Sequence, residues 1–309
     1  MPNDPHGTPP SVATDVRAAL KEGMAQLRAA NVPSSTLAAE LLLMHALGRD
    51  RTWLYTHPEA ELDTSVAQEY FGLIARRAAR EPTQYLTGKQ EFWGLEFEVT
   101  PAVLIPRPET EHVIEVALER LGARGIKINM RTGEPSPPLR IADVGTGSGC
   151  LAVALAHELP HAELFATDIS AAALEVARRN AARHCVASRI RFLDGDLLRP
   201  VLHSPGSFDL IVSNPPYVAQ DDAATLAREV REHEPHAALF GGPSGIEMYG
   251  RLIEQAGELL RSGGVLALEL GYDSAQHVRA ILVAQRHWVN VSVTNDLAGI
   301  PRVLAAERP

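Results

Sequence analysis

Apolar positions in the first part of the chain follow a helical spacing. They recur every three or four residues within 12–30, 35–47 and 65–80, which predicts three amphipathic helices. Gly48 directly follows the second of these segments, and glycine is typical of a helix C-cap because it adopts the left-handed conformation without steric cost. The pattern therefore predicts a small helical domain over 1–84.

A β-rich stretch follows the helical pattern. Residues 85–106 are rich in Phe, Trp, Val and Thr and are interrupted by Gly88 and Gly94, which is typical of a β-hairpin. We interpret this stretch as a hairpin linker between two domains. A helix is predicted over 109–121, and the Gly, Pro and Ser residues clustered in 122–138 predict a loop.

The remainder of the chain, 107–309, alternates short apolar runs with longer amphipathic stretches. This alternation is typical of βαβ units and predicts an α/β fold with a doubly wound, mostly parallel sheet. Too few residues separate the last two runs for a crossover helix, so we expect them to form an antiparallel pair at one sheet edge. The predicted strands are 139–144, 162–167, 189–193, 208–213, 264–270, 289–294 and 302–306.

Composition narrows the class of protein and of partner. The chain has 309 residues, of which 45% are hydrophobic and 22% charged, so a disordered class is disfavoured. The net charge of −9 disfavours duplex nucleic acid, whose phosphates attract basic surfaces. The apolar runs are too short to span a bilayer, and the first ten residues show no secretory pattern. We therefore expect a cytoplasmic protein that does not bind membranes.

A glycine-rich loop follows the first predicted strand of the sheet. The sequence DVGTGSG at 143–149 places glycines at alternate positions between a strand and a helix, where the backbone can approach a ligand closely. Asp168 ends the next predicted strand and can accept hydrogen bonds from both hydroxyls of a ribose. The loop thus predicts a nucleotide-like cofactor and leaves S-adenosylmethionine and NAD as alternatives.

The tetrapeptide Asn214-Pro215-Pro216-Tyr217 follows the fourth predicted strand, at the same sheet edge. Two consecutive prolines stiffen the chain and leave carbonyl groups free to accept hydrogen bonds. The Asn214 side-chain oxygen and a backbone carbonyl, for which Pro215 is our candidate, can hold both hydrogens of a planar NH2 group, and Tyr217 can lie against its plane. Such a nitrogen is a weak nucleophile, so its orientation toward a methyl donor favours transfer. The tetrapeptide therefore favours S-adenosylmethionine over NAD.

With these motifs, the chain resembles the protein-(glutamine-N5) methyltransferases, and within them the release factor type. The similarity covers nearly the whole chain. The segments that carry it are PTQYLTG at 82–88, EFW at 91–93, LIPRPET at 104–110, DVGTGSG at 143–149, NPPY at 214–217, EP at 234–235, and DLAG with RV at 296–299 and 302–303.

The resemblance implies a seven-stranded class I S-adenosylmethionine-dependent methyltransferase sheet, a small N-terminal helical domain that recognises the substrate, and a connecting β-hairpin. It implies methyl transfer from S-adenosylmethionine to the glutamine of the Gly-Gly-Gln motif in class 1 peptide chain release factors. The catalytic residues would be Asn214, Pro215 and Tyr217. The cofactor would be held by Gly145, Thr146, Gly147, Ser148, Gly149, Asp168, Leu197 and Asn214. The substrate would contact Asn214, Pro215, Pro216, Tyr217, Phe92 and Arg107.

Other substrates remain open at this stage. A glutamine of a ribosomal protein would use the same chemistry, and the amino group of a nucleic-acid base presents the same planar NH2. The net charge disfavours the base. A third alternative is a non-catalytic binding module that keeps the fold, against which the intact motifs argue. We expect a monomer without a metal. We interpret Arg76, Arg77 and Arg80 as a solvated basic face that could also meet an acidic protein or a partner like ribosomal RNA.

Overall fold

The computed structural model describes residues 14–125, 138–285 and 287–309. The chain divides into two compact units, Met1–Thr87 and Gly88–Pro309. The division into 1–84, 85–106 and 107–309 stays a prediction. Most of the loop predicted at 122–138 lies outside the described residues.

The described part of the first unit is helical. Its predicted helices are confirmed with small shifts at their ends, and two short helices were not foreseen. Gly48 ends the second helix in the left-handed conformation, with φ 61°, as predicted. The helices are α1 (Val16–Ala29), α2 (Ser35–Leu47), α3 (Arg51–Thr56), α4 (Thr64–Ala78) and α5 (Thr83–Thr87).

The three arginines interpreted as a basic face make contacts within their own unit. Arg76 forms an ion pair with Glu81 at 2.5 Å. Arg77 is only 4% exposed, and Arg80 donates to two backbone carbonyl oxygens. The interpretation as a solvated face was therefore wrong for Arg77, because its side chain is buried.

The second unit begins with the predicted hairpin. Strands β1 (Lys89–Phe92) and β2 (Leu95–Glu98) pair antiparallel through the turn residues Trp93 and Gly94, whose φ angles are 55° and 69°. The start of the predicted β-rich stretch is instead the end of α5. Pro82 precedes that helix and suits its start, since its ring fixes φ in the helical range and its carbonyl accepts from the first turn.

A seven-stranded sheet forms the centre of this unit, which confirms the predicted doubly wound α/β class. Its order is β10-β11-β9-β6-β3-β4-β5, with β10 and β11 antiparallel at one edge as predicted. Strand β11 is also antiparallel to β9, and the neighbours from β9 through β6, β3 and β4 to β5 are parallel. The strands are β3 (Arg140–Val144), β4 (Glu163–Asp168), β5 (Ile190–Asp194), β6 (Phe208–Ser213), β9 (Leu260–Glu269), β10 (Val289–Asn295) and β11 (Pro301–Glu307).

Helices and a small second ladder complete the unit. A 3-10 turn (Pro108–Thr110) leads into the first of these helices, and β7 (Val218–Ala219) pairs with β8 (Phe240–Gly242) outside the main sheet. The helices are α6 (Glu111–Ala123), α7 (Cys150–Glu158), α8 (Ala171–Arg183), α9 (Arg228–His233), α10 (His236–Leu239), α11 (Glu247–Leu259) and α12 (Ala275–Ala284).

Alternate residues of the strands supply two hydrophobic cores. Ile141 packs with residues of α6 and α7, whereas its neighbour Ala142 packs with residues of α11 and α12. This alternation follows from the two-residue period of a strand. Both faces of the sheet are therefore covered, and ligand binding is directed to the carboxyl ends of the strands.

The strand order places the predicted motifs at one edge. From β3 the chain continues to β4 on one side and later returns to β6 on the other, which makes β3 the topological switch point where such sheets bind ligands. The Ser213 hydroxyl at the end of β6 donates to the carbonyl oxygen of Val144 at the end of β3, at 2.7 Å. Within the described residues, no helix is long and apolar enough to cross a bilayer.

Candidate active site

The glycine loop forms a tight turn between β3 and α7. Gly145, Gly147 and Gly149 have φ angles of 69°, 55° and 81°, which other residues adopt only with strain. The backbone N–H groups of Gly145 and Thr146 both donate to the carbonyl oxygen of Thr167 at 2.9 Å. These two hydrogen bonds from the turn to the end of β4 fix its position.

A buried carboxyl group supports this loop. Asp143 is fully buried, and its Oδ2 accepts from the Thr146 hydroxyl at 2.6 Å and from the Ala152 N–H at 3.1 Å. Its other oxygen has no hydrogen-bond partner among the described residues. Burial raises the pKa of Asp143 to about 7, although both donors act in the opposite direction. Asp143 therefore joins the loop to the first turn of α7, and burial of its carboxyl group makes the charged form less favourable.

Asp168 lies at the end of β4 with both oxygens oriented by the backbone. Oδ2 accepts from the N–H of Gly147 and Oδ1 from the N–H of Ser170, each at 2.9 Å. Burial raises the pKa of Asp168, and these backbone donors oppose the shift. Because a carboxylate has about four acceptor positions, lone pairs remain for two hydroxyl groups of a ligand in the pocket that Asp168 lines.

Apolar side chains line the pocket beside Asp168. Leu197 is 8% exposed and has a φ of 54°. Its position is fixed by the next residue, Leu198, whose N–H donates to Gln255 at 2.9 Å. Ile169 is 65% exposed and also lines the pocket. These side chains offer an apolar surface of the kind that a purine ring requires.

The Asn-Pro-Pro-Tyr turn leaves β6 at the same sheet edge as the glycine loop, since β6 is the parallel neighbour of β3. Asn214, Pro215 and Pro216 line the pocket, and Pro215 is buried. Gly241 lies so close to the backbone of the turn that a Cβ on it would overlap the carbonyl oxygen of Pro216. Gly245 lies equally close to the carbonyl of Tyr217. The turn is therefore held by backbone on both sides.

A chain of side-chain hydrogen bonds orients Asn214. Its Nδ2 donates to the hydroxyl of Thr110 at 3.0 Å, and the Thr110 hydroxyl donates to Oε2 of Glu269 at 2.6 Å. The hydroxyl of Tyr217 donates to the other oxygen of Glu269 at 3.3 Å. Because Thr110 holds Nδ2, the acceptor Oδ1 lies at the opposite end of the carboxamide, and Asn214 lines the pocket.

Glu269 is the buried end of this chain. It is 1% exposed, and burial raises its pKa to about 7 against the hydrogen bonds from Thr110 and Tyr217. Its backbone carbonyl accepts from the hydroxyl of Tyr249 at 2.9 Å. Burial also raises the pKa of Tyr217, so its phenol stays protonated at neutral pH. Tyr217 therefore acts here as a donor behind the pocket.

Phe92 lies in a hydrophobic core of the second unit, and Arg107 directly follows Pro106, which lines the pocket. Phe92 is 1% exposed and packs in the hydrophobic core beside Phe97. Arg107 pairs with the buried carboxylate of Glu234 at 2.5 Å, and Glu234 also accepts from the N–H of Ile105. Neither predicted residue is among those that line the described pocket.

One pocket brings together most of the predicted site. Gly149 and Tyr217 are adjacent to it rather than in its lining: Gly149 caps α7, and Tyr217 contacts Glu269. Among the described residues, no three His, Cys, Asp or Glu side chains could share a metal ion. The predicted residues that line the pocket are Gly145, Thr146, Gly147, Ser148, Asp168, Leu197, Asn214, Pro215 and Pro216.

Two residues of the site were missed as functional. Thr110 closes the LIPRPET segment, and Glu269 is the one charged residue of the predicted strand 264–270. A lone carboxylate at the carboxyl end of a buried strand was the available signal. The sequence could not show that these two side chains meet, since 159 residues separate them.

Comparison with known proteins identifies the family to which the chain belongs. The family model described as the PrmC N-terminal domain matches residues 18–88, and the methyltransferase small domain matches residues 130–237. The release factor glutamine methyltransferase of Koribacter versatilis is 45% identical over 95% of this chain and 99% of its own. The chain belongs to the release factor glutamine methyltransferase family.

Other members are similarly close to this chain along its length. The Moorella thermoacetica release factor glutamine methyltransferase is 44% identical over 95% of this chain and 98% of its own. The family assignment makes the protein an S-adenosylmethionine-dependent methyltransferase and confirms the resemblance drawn from the motifs.

Solved structures support the fold. A methyltransferase from Pyrococcus furiosus aligns with a TM-score of 0.50 at 21% identity over 75% of this chain and 98% of its own. The hMettl16 catalytic domain, in complex with MAT2A 3′UTR hairpin 6, aligns with a TM-score of 0.54 at 18% identity over 75% of this chain and 81% of its own. At these identities the likeness shows the class I methyltransferase fold alone.

Proposed function

We propose that the protein methylates the side-chain nitrogen (N5) of the glutamine in the Gly-Gly-Gln motif of class 1 peptide chain release factors. The orientation of Asn214 carries this proposal, because a carboxamide whose NH2 is held by Thr110 presents an acceptor oxygen to the pocket. An acceptor at that point suits an NH2 group, which is what the side chain of glutamine provides.

The pocket fits S-adenosylmethionine as the methyl donor. Three glycines with positive φ allow close approach of a ligand to the loop, and Asp168 keeps acceptor positions for ribose hydroxyls beside the apolar Leu197. When bound, S-adenosylmethionine supplies an electrophilic methyl carbon on a positively charged sulfur. In this proposal Gly145, Thr146, Gly147, Ser148, Gly149, Asp168, Leu197 and Asn214 hold the cofactor.

The residues of the turn orient the acceptor nitrogen. Oδ1 of Asn214 and the carbonyl oxygen of Pro215 accept its two hydrogens, and Pro216 and Tyr217 keep the turn in shape. With both hydrogens held, the nitrogen lone pair points along one direction, and such positioning can supply several kcal/mol of the barrier reduction. Methyl transfer to the nitrogen would break the bond between the methyl carbon and the sulfur of the donor, and the electron pair of that bond would stay on sulfur. The nitrogen would lose one proton, which would leave along one of these hydrogen bonds to water.

Charge favours a peptide glutamine over a nucleic-acid base. Among the described residues that line the pocket there is no Lys, Arg or His, whereas Asp168 and Asp196 both line it. Phosphate groups require cations around a site of this kind. A ribosomal protein glutamine has the same local chemistry as the release factor glutamine. The names of the relatives favour the release factor.

The remaining expectations complete the proposal. We propose that 1–84 recognises the release factor, that 85–106 links it to the methyltransferase domain at 107–309, and that Phe92 and Arg107 support the substrate site. We further propose that the protein acts as a cytoplasmic monomer and forms no stable complex with nucleic acid.

A methyl-transfer assay tests the substrate. The protein and labelled S-adenosylmethionine are incubated in parallel with a class 1 release factor, the same factor with its Gly-Gly-Gln glutamine replaced, ribosomal protein, and DNA. We expect label on the first alone. Equal labelling of the substituted factor or of DNA contradicts the proposal, and preferential labelling of ribosomal protein changes the substrate but not the reaction.

A further inference from the structure

We propose that Thr110 and Glu269 are positioning residues for methyl transfer, which hold the Asn214 carboxamide with its oxygen toward the acceptor nitrogen. This inference rests on the proposed glutamine methylation and adds two residues that act through Asn214. Three distant parts of the second unit supply the contacts: the turn before α6, the end of β9 and the residue after β6.

The direction of each hydrogen bond follows from the chemistry of its partners. An ionised carboxylate only accepts, so the Thr110 hydroxyl must give its single proton to Glu269 across 2.6 Å. The hydroxyl oxygen then has only lone pairs to offer, so the group that meets it at 3.0 Å must be the NH2 of Asn214. Glu269 thereby determines which end of a nearly symmetric carboxamide faces the pocket.

Burial gives this arrangement its strength. Thr110 is 2% exposed and Glu269 1% exposed, so water cannot replace either partner. An unpaired polar group in such surroundings costs about 1–3 kcal/mol, which opposes rotation of the carboxamide away from Thr110. Without the hydroxyl, the two orientations of Asn214 would be close in energy, and one of them presents NH2 to another NH2.

The groups around Glu269 define its charge state. Tyr217 donates to it, and the guanidinium of Arg302 attracts its charge from β11, while Glu109 repels it. Arg302 is itself paired with Asp296 at 2.9 Å. Burial, with the charge of Glu109, raises the pKa of Glu269 to about 7, whereas Thr110, Tyr217 and Arg302 act in the opposite direction. A protonated Glu269 can donate to Thr110, which frees the Thr110 proton to attract Oδ1 of Asn214 and reverses the carboxamide.

Two substitutions at Thr110 separate positioning from packing. Thr110→Val keeps the shape and removes the hydroxyl, whereas Thr110→Ser keeps the hydroxyl and removes a methyl group. We measure kcat and KM for a release factor and the Kd of S-adenosylmethionine for each. We expect kcat to fall about tenfold or more in Thr110→Val and to stay within about threefold in Thr110→Ser, with the cofactor Kd unchanged in both.

Glu269→Gln provides a second readout. This readout remains available even if the Thr110 variants do not fold. The wild-type kcat should fall as pH decreases from 8 to 6, and Glu269→Gln, which does not titrate, should lose that dependence. If kcat falls equally with decreasing pH in the wild type and in Glu269→Gln, the role of Glu269 is overturned.

The outcomes at Thr110 distinguish this inference from the proposed function. A wild-type protein that methylates the release factor, together with an undiminished Thr110→Val, overturns positioning and leaves the function intact. An equal fall in Thr110→Val and Thr110→Ser, with weaker cofactor binding, indicates a packing role and also overturns it. A wild type that does not label the glutamine overturns both.

Discussion

The side-chain nitrogen of Asn214 donates to the hydroxyl of Thr110, 104 residues earlier in the chain, at 3.0 Å. This contact determines what the pocket can recognise, because it orients the carboxamide so that its oxygen can accept a hydrogen bond from a ligand. A site that ends in an acceptor suits a donor such as the NH2 group of glutamine. The proposed reaction therefore depends on one oriented carboxamide.

Removal of that carboxamide should slow the reaction without loss of the cofactor. In Asn214→Ala we expect kcat to fall by about 100-fold or more, as when one positioned polar contact to a reacting group is lost. The Kd of S-adenosylmethionine should rise by much less than kcat falls, since the glycine loop and Asp168, which supply most of the proposed cofactor contacts, are untouched. Steady-state methyl transfer and calorimetric titration measure the two effects. Normal turnover in this variant would exclude Asn214 from the mechanism.

Asp168 should contribute to cofactor affinity rather than to turnover. Hydrogen bonds to a charged group contribute about 1.5–3 kcal/mol, so Asp168→Ala should weaken binding of S-adenosylmethionine by roughly tenfold to 150-fold. Loss of the acceptor for Gly147 would add to the effect. The exposed Glu119 on α6 provides a control, and Glu119→Ala should leave the Kd unchanged. An unchanged Kd in Asp168→Ala would contradict the assignment.

Close backbone packing at Gly241 should make this position intolerant of a methyl group. A Cβ at Gly241 would lie 2.8 Å from the carbonyl oxygen of Gly245 and closer still to that of Pro216. Since backbone cannot move aside as a flexible side chain can, Gly241→Ala should displace the turn, lower kcat and cost about 1–3 kcal/mol of stability.

Gly250 is the matched control for this substitution. It lies within α11, and a Cβ there meets nothing within 4 Å. Gly250→Ala should keep full activity and stabilise the protein by about 0.5–1 kcal/mol, because alanine favours the helix. Thermal unfolding and the methyl-transfer assay compare the two variants. Equal behaviour of both would contradict the role of Gly241 in shaping the turn.

Local sequence signals predicted much of the fold, and distant contacts account for what they missed. The helix over 35–47 and Gly48 were predicted correctly because spacing and capping are read within a few residues. The six-residue α3 was missed since it is too short for periodicity, although Asp50 caps it at 2.7 Å. The motifs at the ends of strands predicted most of the site residues that line the pocket.

The orientation of the pocket residues could not be read in this way. It depends on Thr110 and Glu269, which no short-range pattern connects. The same reason explains Arg77, whose burial depends on how α4 packs within its unit and not on the spacing of charges in the helix. Sequence thus predicted the donors and acceptors of the site, while tertiary contacts determine which atom of each faces the ligand.

The stability of the protein should depend on pH through Asp143. Its ordinary pKa is 3.8 and rises to about 7 on burial, so between about pH 4 and pH 7 the folded protein holds more protons than the unfolded chain. Stability from this group therefore decreases as pH rises through that window, by up to about 1.4 kcal/mol per pH unit.

Asp143→Asn tests this dependence. The asparagine keeps one oxygen to accept from Thr146 and Ala152 but does not titrate. We expect the Tm of the variant relative to wild type to increase from pH 5 to pH 8. A constant difference in Tm across this range would show that Asp143 is not the group responsible.

A crystal structure with S-adenosylhomocysteine and a release factor tests the central claim most directly. We expect Oδ1 of Asn214 within about 3.2 Å of the glutamine side-chain nitrogen, with Nδ2 still on Thr110. A carboxamide turned away from the glutamine, or a glutamine that lies outside the pocket between the glycine loop and the Asn-Pro-Pro-Tyr turn, would contradict the account.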